Sequence, residues 1–528
     1  MNLYNILQSN SSATTAIIHH GLFSKNTITY KELEEKSNHY AKVFKKHGIR
    51  KNDIIVMYIP ITIELYAILS AILKLGAVVT FIEPSASKML LEHYKQLKPK
   101  AIVTTPTIFA GLKFLNLISH IPLRFTTGFT PFNTINLQKF AENESIIDTA
   151  EVDEDHPAII TFTSGSSGIP KAIIRSHGFL LNQHKAIIGT TKPFSGVVDM
   201  ISLPIFILSN LGSAITTVIP KGNLRKPANV SPKVLWEQIK EDQVSRLTFP
   251  PIICGNLADY AIQNKLINTS VKHIFTGGGP VYPSLLKKLR LVFASADIIA
   301  IYGSTEAEPI ADLHYREIKD MDFVNMNKGK GVLVGNIVEA AKVKIINFHK
   351  TYTDYIKLDK SEFDNISCKQ MEFGEIVVSG NNVVKSYVNA KDNLDTKFSV
   401  DGEIWHRTGD SGYIDPLGRL WLLGRYKQII NFEGKHIHPF SVECAANSYD
   451  IVKNAALVMV DNKRILAVET YNKSDLNELK NIKKEINKNF GFDVVEYISV
   501  TEIPMDKRHN SKVDYTKISK TIKLNKLI

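Results

Sequence analysis

Cysteine is scarce in this chain, with only Cys254, Cys368 and Cys444 in 528 residues. Their wide separation matches no metal-ligand spacing, which excludes a disulfide scaffold and fits a reducing compartment with thiols that serve as packing groups. A block of like charge is missing too. The net charge is +12, yet the basic residues are spread along the chain and not interleaved with aromatics. That distribution fits a solvated surface and argues against a nucleic-acid partner. The opening residues show no basic start followed by an apolar core, so no signal peptide is expected. Nor is there a transmembrane segment. The most apolar stretch, "LYAILSAILKLGAVVTFI" at 65–82, carries Lys74 in its middle and is split by Gly76. It predicts a buried helix from about Glu64 to Leu75, a glycine stop and a strand. Repeats and low-complexity segments are absent as well. What remains is a soluble, cytoplasmic, globular chain, too long for a single compact core.

What is present is a regular alternation. "DIIVMYI" precedes the helix just described, "KAIVTT" follows the helical "MLLEHYKQL", and "VKHIFTGGG" leads through "SLLKKLRLVFA" to "ADIIAIYG". β-Branched runs alternating with helices predict α/β layers with largely parallel sheets. From about residue 330 shorter strands take over ("AKVKIINF", "GEIVVSG", "YIDPLGRLWLLGR"). After 425 comes a compact α+β tail containing "NAALVMV", "ILAVETY" and the amphipathic "DLNELKNIKKEINKNF". The expectation is a large N-terminal domain, 1–424, and a small C-terminal domain, 425–528, joined near Gly424 to Lys427.

One stretch carries chemistry on its face. "ITFTSGSSGIPK", 160–171, runs from a strand end into Thr163, Ser164, Gly165, Ser166, Ser167 and Gly168, then Lys171. Glycines let backbone N–H groups turn toward an anion, hydroxyls add donors, and the lysine supplies full charge. The spacing is not that of the P-loop. Taken alone, a Ser/Gly stretch is more often a plain turn. Other stretches follow it, however: "ITYKEL" at 28, "LKLGAVVTFIEP" at 73, "TGGGPV" at 276, "YGSTEAEP" at 302, "GEIVVSGNNVVKSYVN" at 374, "HRTGD" at 406 and "LGR" at 423. In order and content they resemble the adenylate-forming superfamily of acyl-CoA synthetases, luciferases and peptide-synthetase adenylation domains, over nearly the whole chain.

That resemblance implies an ATP- and Mg²⁺-dependent ligase, with roles for particular residues. The 163–171 loop would cradle the β- and γ-phosphates. Gly277, Gly278, Gly279 and Pro280 would wall the adenine pocket, with Gly279 where alanine is more usual. Tyr302 would stack on adenine, followed by Gly303 and Ser304, with Thr305 donating to phosphate and Glu306 as the hard oxygen ligand for Mg²⁺. Asp410 would accept both ribose hydroxyls, aided by Arg425 fifteen residues on. Lys512, preceded by Ser511 where the family has glycine, would be the catalytic lysine carried by the small domain. Lys427 would be the hinge about which that domain turns between half-reactions. Gly434 would let a pantetheine arm approach, although His436 and Ser441 depart from the residues common beside it.

The acid and the acceptor follow less directly. "LPIFILSNLG" at 203–212 aligns with the segment that shapes the acid pocket. Amino-acid adenylation domains carry Asp where this chain has Ile207, next to Leu208. A buried ammonium there would lack a counter-ion, so an apolar acyl chain, such as that of a fatty acid, fits better. Transfer to CoA, or to the phosphopantetheine of a carrier protein, is the first expectation. Three alternatives stay open. "RHNSK" at 508–512 resembles the tail of olefin β-lactone synthetases, which close a β-hydroxy acid without a thiol. The chain could also be an acyl-AMP ligase that loads a carrier protein, or a nucleotide-binding protein without catalysis.

Overall fold

The computed structural model describes the chain except for residues 11, 22–23, 82–96, 115–117, 140–146, 164–170, 348–355, 472–475, 491–495, 501, 507–511 and 525–528. It divides into two compact units, each discontinuous in sequence: 1–225 with 237–245 and 381–393, and 226–236 with 246–380 and 394–528.

The first unit is built on parallel strands, as the alternation predicts. Its larger sheet runs in the order Ile135–Asn136, Leu123–Thr126, Ala101–Thr104, Ile54–Tyr58, Val78–Phe81, Pro157–Thr163 and Lys171–Ser176. Only the last pair in that order is antiparallel. Val198–Ile201, Thr216–Ile219 and Thr15–His20 also pair in parallel, with Lys25–Thr29 antiparallel at the margin. "ITYKEL" proves to be a helix start. Thr29 caps Tyr30–Lys46, accepting from the Glu32 N–H while Glu32 accepts from the Thr29 N–H, a reciprocal capping box. The apolar stretch at 65–82 forms the helix Ile63–Lys74 and the strand Val78–Phe81. Every residue from Leu65 to Lys74 on that helix is buried. Lys74 itself is sheathed, its ammonium hydrogen-bonded to Asn38 and 4.9 Å from the centre of the Tyr4 ring. Among the described residues no helix is long and apolar enough to cross a membrane.

The second unit begins with three parallel strands, Arg246–Phe249, His273–Gly277 and Asp297–Ser304. The helices Pro251–Gln263 and Pro283–Val292 connect them. From Ala307–His314 onward the sheet is antiparallel, continuing through Val332–Ile337, Leu420–Arg425, Glu403–Ile414, Gly374–Ser379 and Lys342–Ile346. This is the β-rich stretch expected after 330. The tail supplies a short hairpin, Ile430–Phe432 with Lys435–Ile437, and the helix Pro439–Ala446. It ends in a three-stranded sheet, Val452–Val460, Lys463–Thr470 and Glu496–Val500, with the helices Leu476–Phe490 and Tyr515–Leu524.

The hairpin Glu403–Ile414/Leu420–Arg425 is anchored at its turn. Asp415 accepts from the N–H groups of Leu417 and Arg419, each at 2.9 Å, and Gly418 takes the positive φ (+78°) that the turn requires. The Arg419 guanidinium then bridges two buried carboxylates, with two 2.8 Å bonds to Asp322 and one of 2.9 Å to Asp415. The Trp421 indole N–H donates to the same Asp415 oxygen at 3.0 Å. Removing the arginine strands both acids away from water. Arg419→Ala is therefore expected to lower unfolding free energy by about 3–5 kcal/mol, measured by urea titration. A loss below about 1 kcal/mol would show that the network behaves as an exposed ion pair.

Candidate functional site

A cavity of about 290 Å³ opens in the second unit, where the carboxyl ends of two parallel strands meet the antiparallel hairpin. Gly278, Gly279, Pro280, Tyr302, Gly303, Ser304, Asp410, Arg425 and Lys512 all line it. Nine of the residues singled out by sequence thus converge on one hollow, though Lys512 lies more than 200 positions from Tyr302.

Each is placed by a local cause. Gly277 ends its strand opposite Ile301, where an added Cβ would sit 2.5 Å from the Ile301 carbonyl oxygen, so only glycine allows the strands to approach. Gly278 follows with φ +78° and turns the chain along the cavity wall. Tyr302 stands near the end of Asp297–Ser304, and Thr305–Glu306 form the two-residue turn into Ala307–His314. Asp410 and Arg425 are direct cross-strand partners. The fifteen-residue spacing between them is thus the register of a hairpin.

Asp410 is the centre of the polar contacts. The Tyr302 hydroxyl donates to one of its oxygens at 2.8 Å and the Arg425 guanidinium lies 3.2 Å from the other. Arg425 also donates to the Thr408 carbonyl at 3.0 Å, and Thr408 donates to the Ile376 carbonyl at 2.8 Å. Burial, reinforced by the Asp410 charge, pushes the Tyr302 phenol well above its usual range. Asp410 holds Arg425 more firmly protonated. Behind the strand, Glu375 receives two bonds from Arg407, at 2.9 and 2.6 Å, which fixes the backbone just before Asp410.

Lys512 is presented by a clasp. Its N–H donates to the Asp506 carboxylate at 2.8 Å, and the Asp506 N–H donates to the Lys512 carbonyl at 2.7 Å. The side chain is open to the cavity but has protein around it. That burial, and then the neighbouring Arg425, lower its pKa, while Asp410, Asp506 and Glu306 pull it back up. Lys512, Arg425, Asp410 and Glu306 therefore act on one another electrostatically.

The remaining candidates lie elsewhere. Residues 164–170 of the Ser/Gly loop, and Ser511 in the tail, fall outside the described residues. The flanks of the loop, Thr163 and Lys171, are register partners, and the Lys171 ammonium lies 3.9 Å from Asp392 and 5.5 Å from the Tyr387 ring centre. Ile207 and Leu208, expected to line the acid pocket, sit in the hydrophobic core of the first unit on the helix Pro204–Gly212 and are not among the residues lining this cavity. Lys427 is exposed in the short 3₁₀ turn Tyr426–Gln428. Gly434 has φ +74° in the two-residue turn Glu433–Gly434, which gives it a backbone reason to be glycine. His436 Nδ1 is 2.5 Å from the Asn431 side-chain oxygen, and Ser441 is buried. Burial pushes the Cys254 and Cys444 thiols up to about 12 and raises that of Cys368, consistent with packing roles. Among the described residues one His/Asp/Glu group could hold a metal ion, His20 with Glu241 and Asp242, but the Lys25 ammonium already lies 2.6 Å from Asp242.

Two buried charges escaped sequence reasoning. Lys397 is 1% exposed at the start of Lys397–Val400, opposite His406. Burial lowers its pKa to about 7 and the Glu306 charge opposes that shift. Its only signal is a lysine heading an otherwise strand-like "KFSV". Glu443, at 1% exposure, lines the far side of the cavity on the helix Pro439–Ala446. It is legible only as one acid inside the apolar "PFSVECAA".

Comparison with known proteins shows the family and the fold. A family model described as AMP-binding enzyme matches residues 8–388. An olefin β-lactone synthetase of Xanthomonas campestris pv. campestris is 26% identical over 523 residues, covering 93% of this chain and 90% of that protein. A 4-coumarate–CoA ligase of Petroselinum crispum is 25% identical over 448 residues, covering 83% and 78%. In fold, the o-succinylbenzoate CoA synthetase of Bacillus subtilis, solved with ATP and magnesium, superposes with a TM-score of 0.76 at 20% identity, covering 98% of each chain.

Glu443 gives the site's surroundings a pH signature. Its carboxylate accepts from the Leu457 N–H at 3.0 Å and from the Tyr515 hydroxyl at 2.8 Å, yet burial outweighs both and raises its pKa to about 7. A folded pKa above the unfolded one means that the fold prefers the neutral acid. That contribution is complete below about pH 4 and is lost as pH rises through 7. Glu443→Gln is expected to match the parent at pH 5 and to exceed it in stability at pH 8.5 by on the order of 2–3 kcal/mol, read from urea midpoints. Equal midpoints at both pH values would show that the ionised form costs the fold nothing.

Proposed function

Because this chain belongs to the AMP-binding enzyme family and is an adenylate-forming ligase, we propose that it activates an apolar β-hydroxy carboxylic acid as its acyl-AMP and lets the acid's own hydroxyl displace AMP. The observation that carries the first half is the convergence of Tyr302, Asp410, Arg425 and Lys512 on one cavity. MgATP is the co-substrate. Asp410 offers two oxygens to ribose hydroxyls, Tyr302 an aromatic face to adenine, and Glu306 a carboxylate for the magnesium that arrives with the nucleotide. The hydroxyl-rich 163–168 segment and Lys171 supply the phosphate cradle that the family resemblance implies.

In the first step a carboxylate oxygen of the acid forms a bond to the α-phosphorus of ATP, and the bond to the bridging oxygen breaks, releasing pyrophosphate. Negative charge accumulates on the five-coordinate phosphorus. Lys512 and Arg425, on the cavity wall, are cations positioned to stabilise it. In the second step the β-hydroxyl oxygen attacks the acyl carbon, AMP leaves with the electron pair of the broken C–O bond, and the hydroxyl proton passes to solvent. The support for this acceptor is the alignment with β-lactone synthetases across 93% of the chain, together with "RHNSK". The glycine that favoured a thiol, Gly434, is already accounted for by its turn.

Transfer to CoA is the second reading, favoured by the similarity to 4-coumarate–CoA ligases. In either case residues 425–528 form a mobile domain that pivots at Lys427 and withdraws Lys512 after adenylation.

Two experiments test the proposal. Products from ATP, Mg²⁺ and a panel of fatty and β-hydroxy acids, with and without CoA, are identified by mass spectrometry. A β-hydroxy acid minus water, formed without CoA, is the expected product. An acyl-CoA formed only with CoA present would establish the second reading instead. Lys512→Ala is expected to lower acid-dependent pyrophosphate release by at least about 10²-fold, while consumption of supplied acyl-AMP stays near the parent rate. Equal loss of both steps would contradict a lysine that leaves between them.

A further inference from the structure

Lys512 lines the cavity from the tail, while Tyr302 and Asp410 approach it from strands that precede residue 425. Where the lysine stands therefore depends on what fastens 425–528 to the rest of the second unit. Beside the joint, the Phe440 ring lies 5.7 Å from that of Tyr282, and a Cβ added to Gly424 would sit 2.5 Å from the Phe440 Cβ. A contact so near the joint gives little leverage against rotation.

Farther along the tail the grip is firmer. Phe490 ends the helix Leu476–Phe490, whose Leu479, Ile482 and Ile486 are buried in the tail's own core. Its ring packs on that core, and the far edge of the ring meets Gly329. A Cβ added to Gly329 would lie 1.9, 2.2 and 2.7 Å from the ring atoms Cζ, Cε1 and Cε2, so the ring fills the place a side chain would take. Gly329, at φ +76°, closes the helix Asp320–Asn327, and its N–H donates to the Met326 carbonyl at 3.0 Å. The next carbonyl, of Lys330, accepts from the Tyr413 hydroxyl at 2.8 Å. Tyr413 belongs to the strand that carries Asp410, and Arg419 pins the same helix through Asp322. The socket for Phe490 is thus built on the hairpin that holds Asp410 and Arg425.

Tyr471 makes another tie, just after the strand Lys463–Thr470. Its hydroxyl accepts from the Lys288 ammonium at 3.2 Å, and that ammonium lies 5.1 Å from the ring centre. Asp259 holds Lys288 in turn, at 2.8 Å. A lobe tethered at a joint and gripped at two further points cannot turn about the joint without breaking both grips. We propose that Phe490 and Tyr471 are positioning residues for adenylation, which hold Lys512 in the cavity by gripping Gly329 and Lys288 and let go when the lysine withdraws. The proposal rests on the reading that 425–528 pivots between the two steps. Neither residue lines the cavity, so their effect is on the fraction of molecules whose lysine is in place.

The test follows the two steps separately in Phe490→Ala, Tyr471→Ala and Gly329→Asn. Asparagine tolerates a positive φ, so Gly329→Asn blocks the socket while every residue of the tail stays as it is. Each variant is expected to lower kcat for acid-dependent pyrophosphate release by at least about fivefold, with consumption of supplied acyl-AMP undiminished. The double variant Gly329→Asn/Phe490→Ala should be no slower than its slower single variant, because one contact is lost only once. Damage confined to the tail would spare Gly329→Asn, so full pyrophosphate release by that variant overturns the proposal. So do additive losses in the double variant, or equal loss of both steps in the singles. Lys512→Ala, run alongside, separates the two readings. If it slows both steps alike, the pivot is wrong and the grip falls with it. If it separates the steps and the contact variants do not, the pivot stands and the grip alone is refuted.

Discussion

The pairing of Asp410 with Arg425 is the constraint on which the site depends. Each faces the other because Glu403–Ile414 and Leu420–Arg425 pair antiparallel, in a register that begins at the turn gathered by Asp415 and is moved by one residue at a bulge between Ser411 and Gly412. A one-residue slip would exchange the faces of the hairpin and turn Asp410 away from Tyr302. Arg419 and Asp322 brace the turn from outside, and Glu375 with Arg407 brace the strand from behind. The polar centre of the cavity is thus held by backbone geometry, with buried ion pairs opposing any shift. Preorganisation of this sort is what allows fixed charges to act on a transition state without rearranging at the moment of reaction.

The same neighbourhood is rich in cations set for an anionic guest. Lys512, Arg425 and Lys397 all interact with Glu306, and the first two also with Asp410. Burial disfavours the charged form of Lys512 and, more strongly, of Lys397. A triphosphate and a carboxylate brought into that field would restore what burial removes.

Much of the fold was legible because its signals are local. The alternation of apolar runs gave the parallel strands, "ITYKEL" contained its own capping box, and Lys74 with Gly76 divided a hydrophobic run into helix and strand. The cavity was legible in a different way. Tyr302, Asp410 and Lys512 are far apart in sequence, and only their resemblance to an ordered family pattern joined them. Tertiary causes could not be read in advance. That Asp410 and Arg425 are partners follows from a hairpin register. That Gly434 answers to a positive φ follows from a turn, and the burial of Lys397 and Glu443 depends on what packs against them. The burial of Ile207 is of the same kind, set by the packing of its helix in the core of the first unit.

The most direct measurement is the equilibrium affinity for MgATP of the parent and of Asp410→Ala, by titration calorimetry, with circular dichroism confirming that both are folded. If the hairpin pair holds the ribose, removing the carboxylate should weaken binding by roughly 10–100-fold, the loss of a charge-assisted double hydrogen bond. Unchanged affinity in a folded variant would place the nucleotide elsewhere and contradict the account of this site.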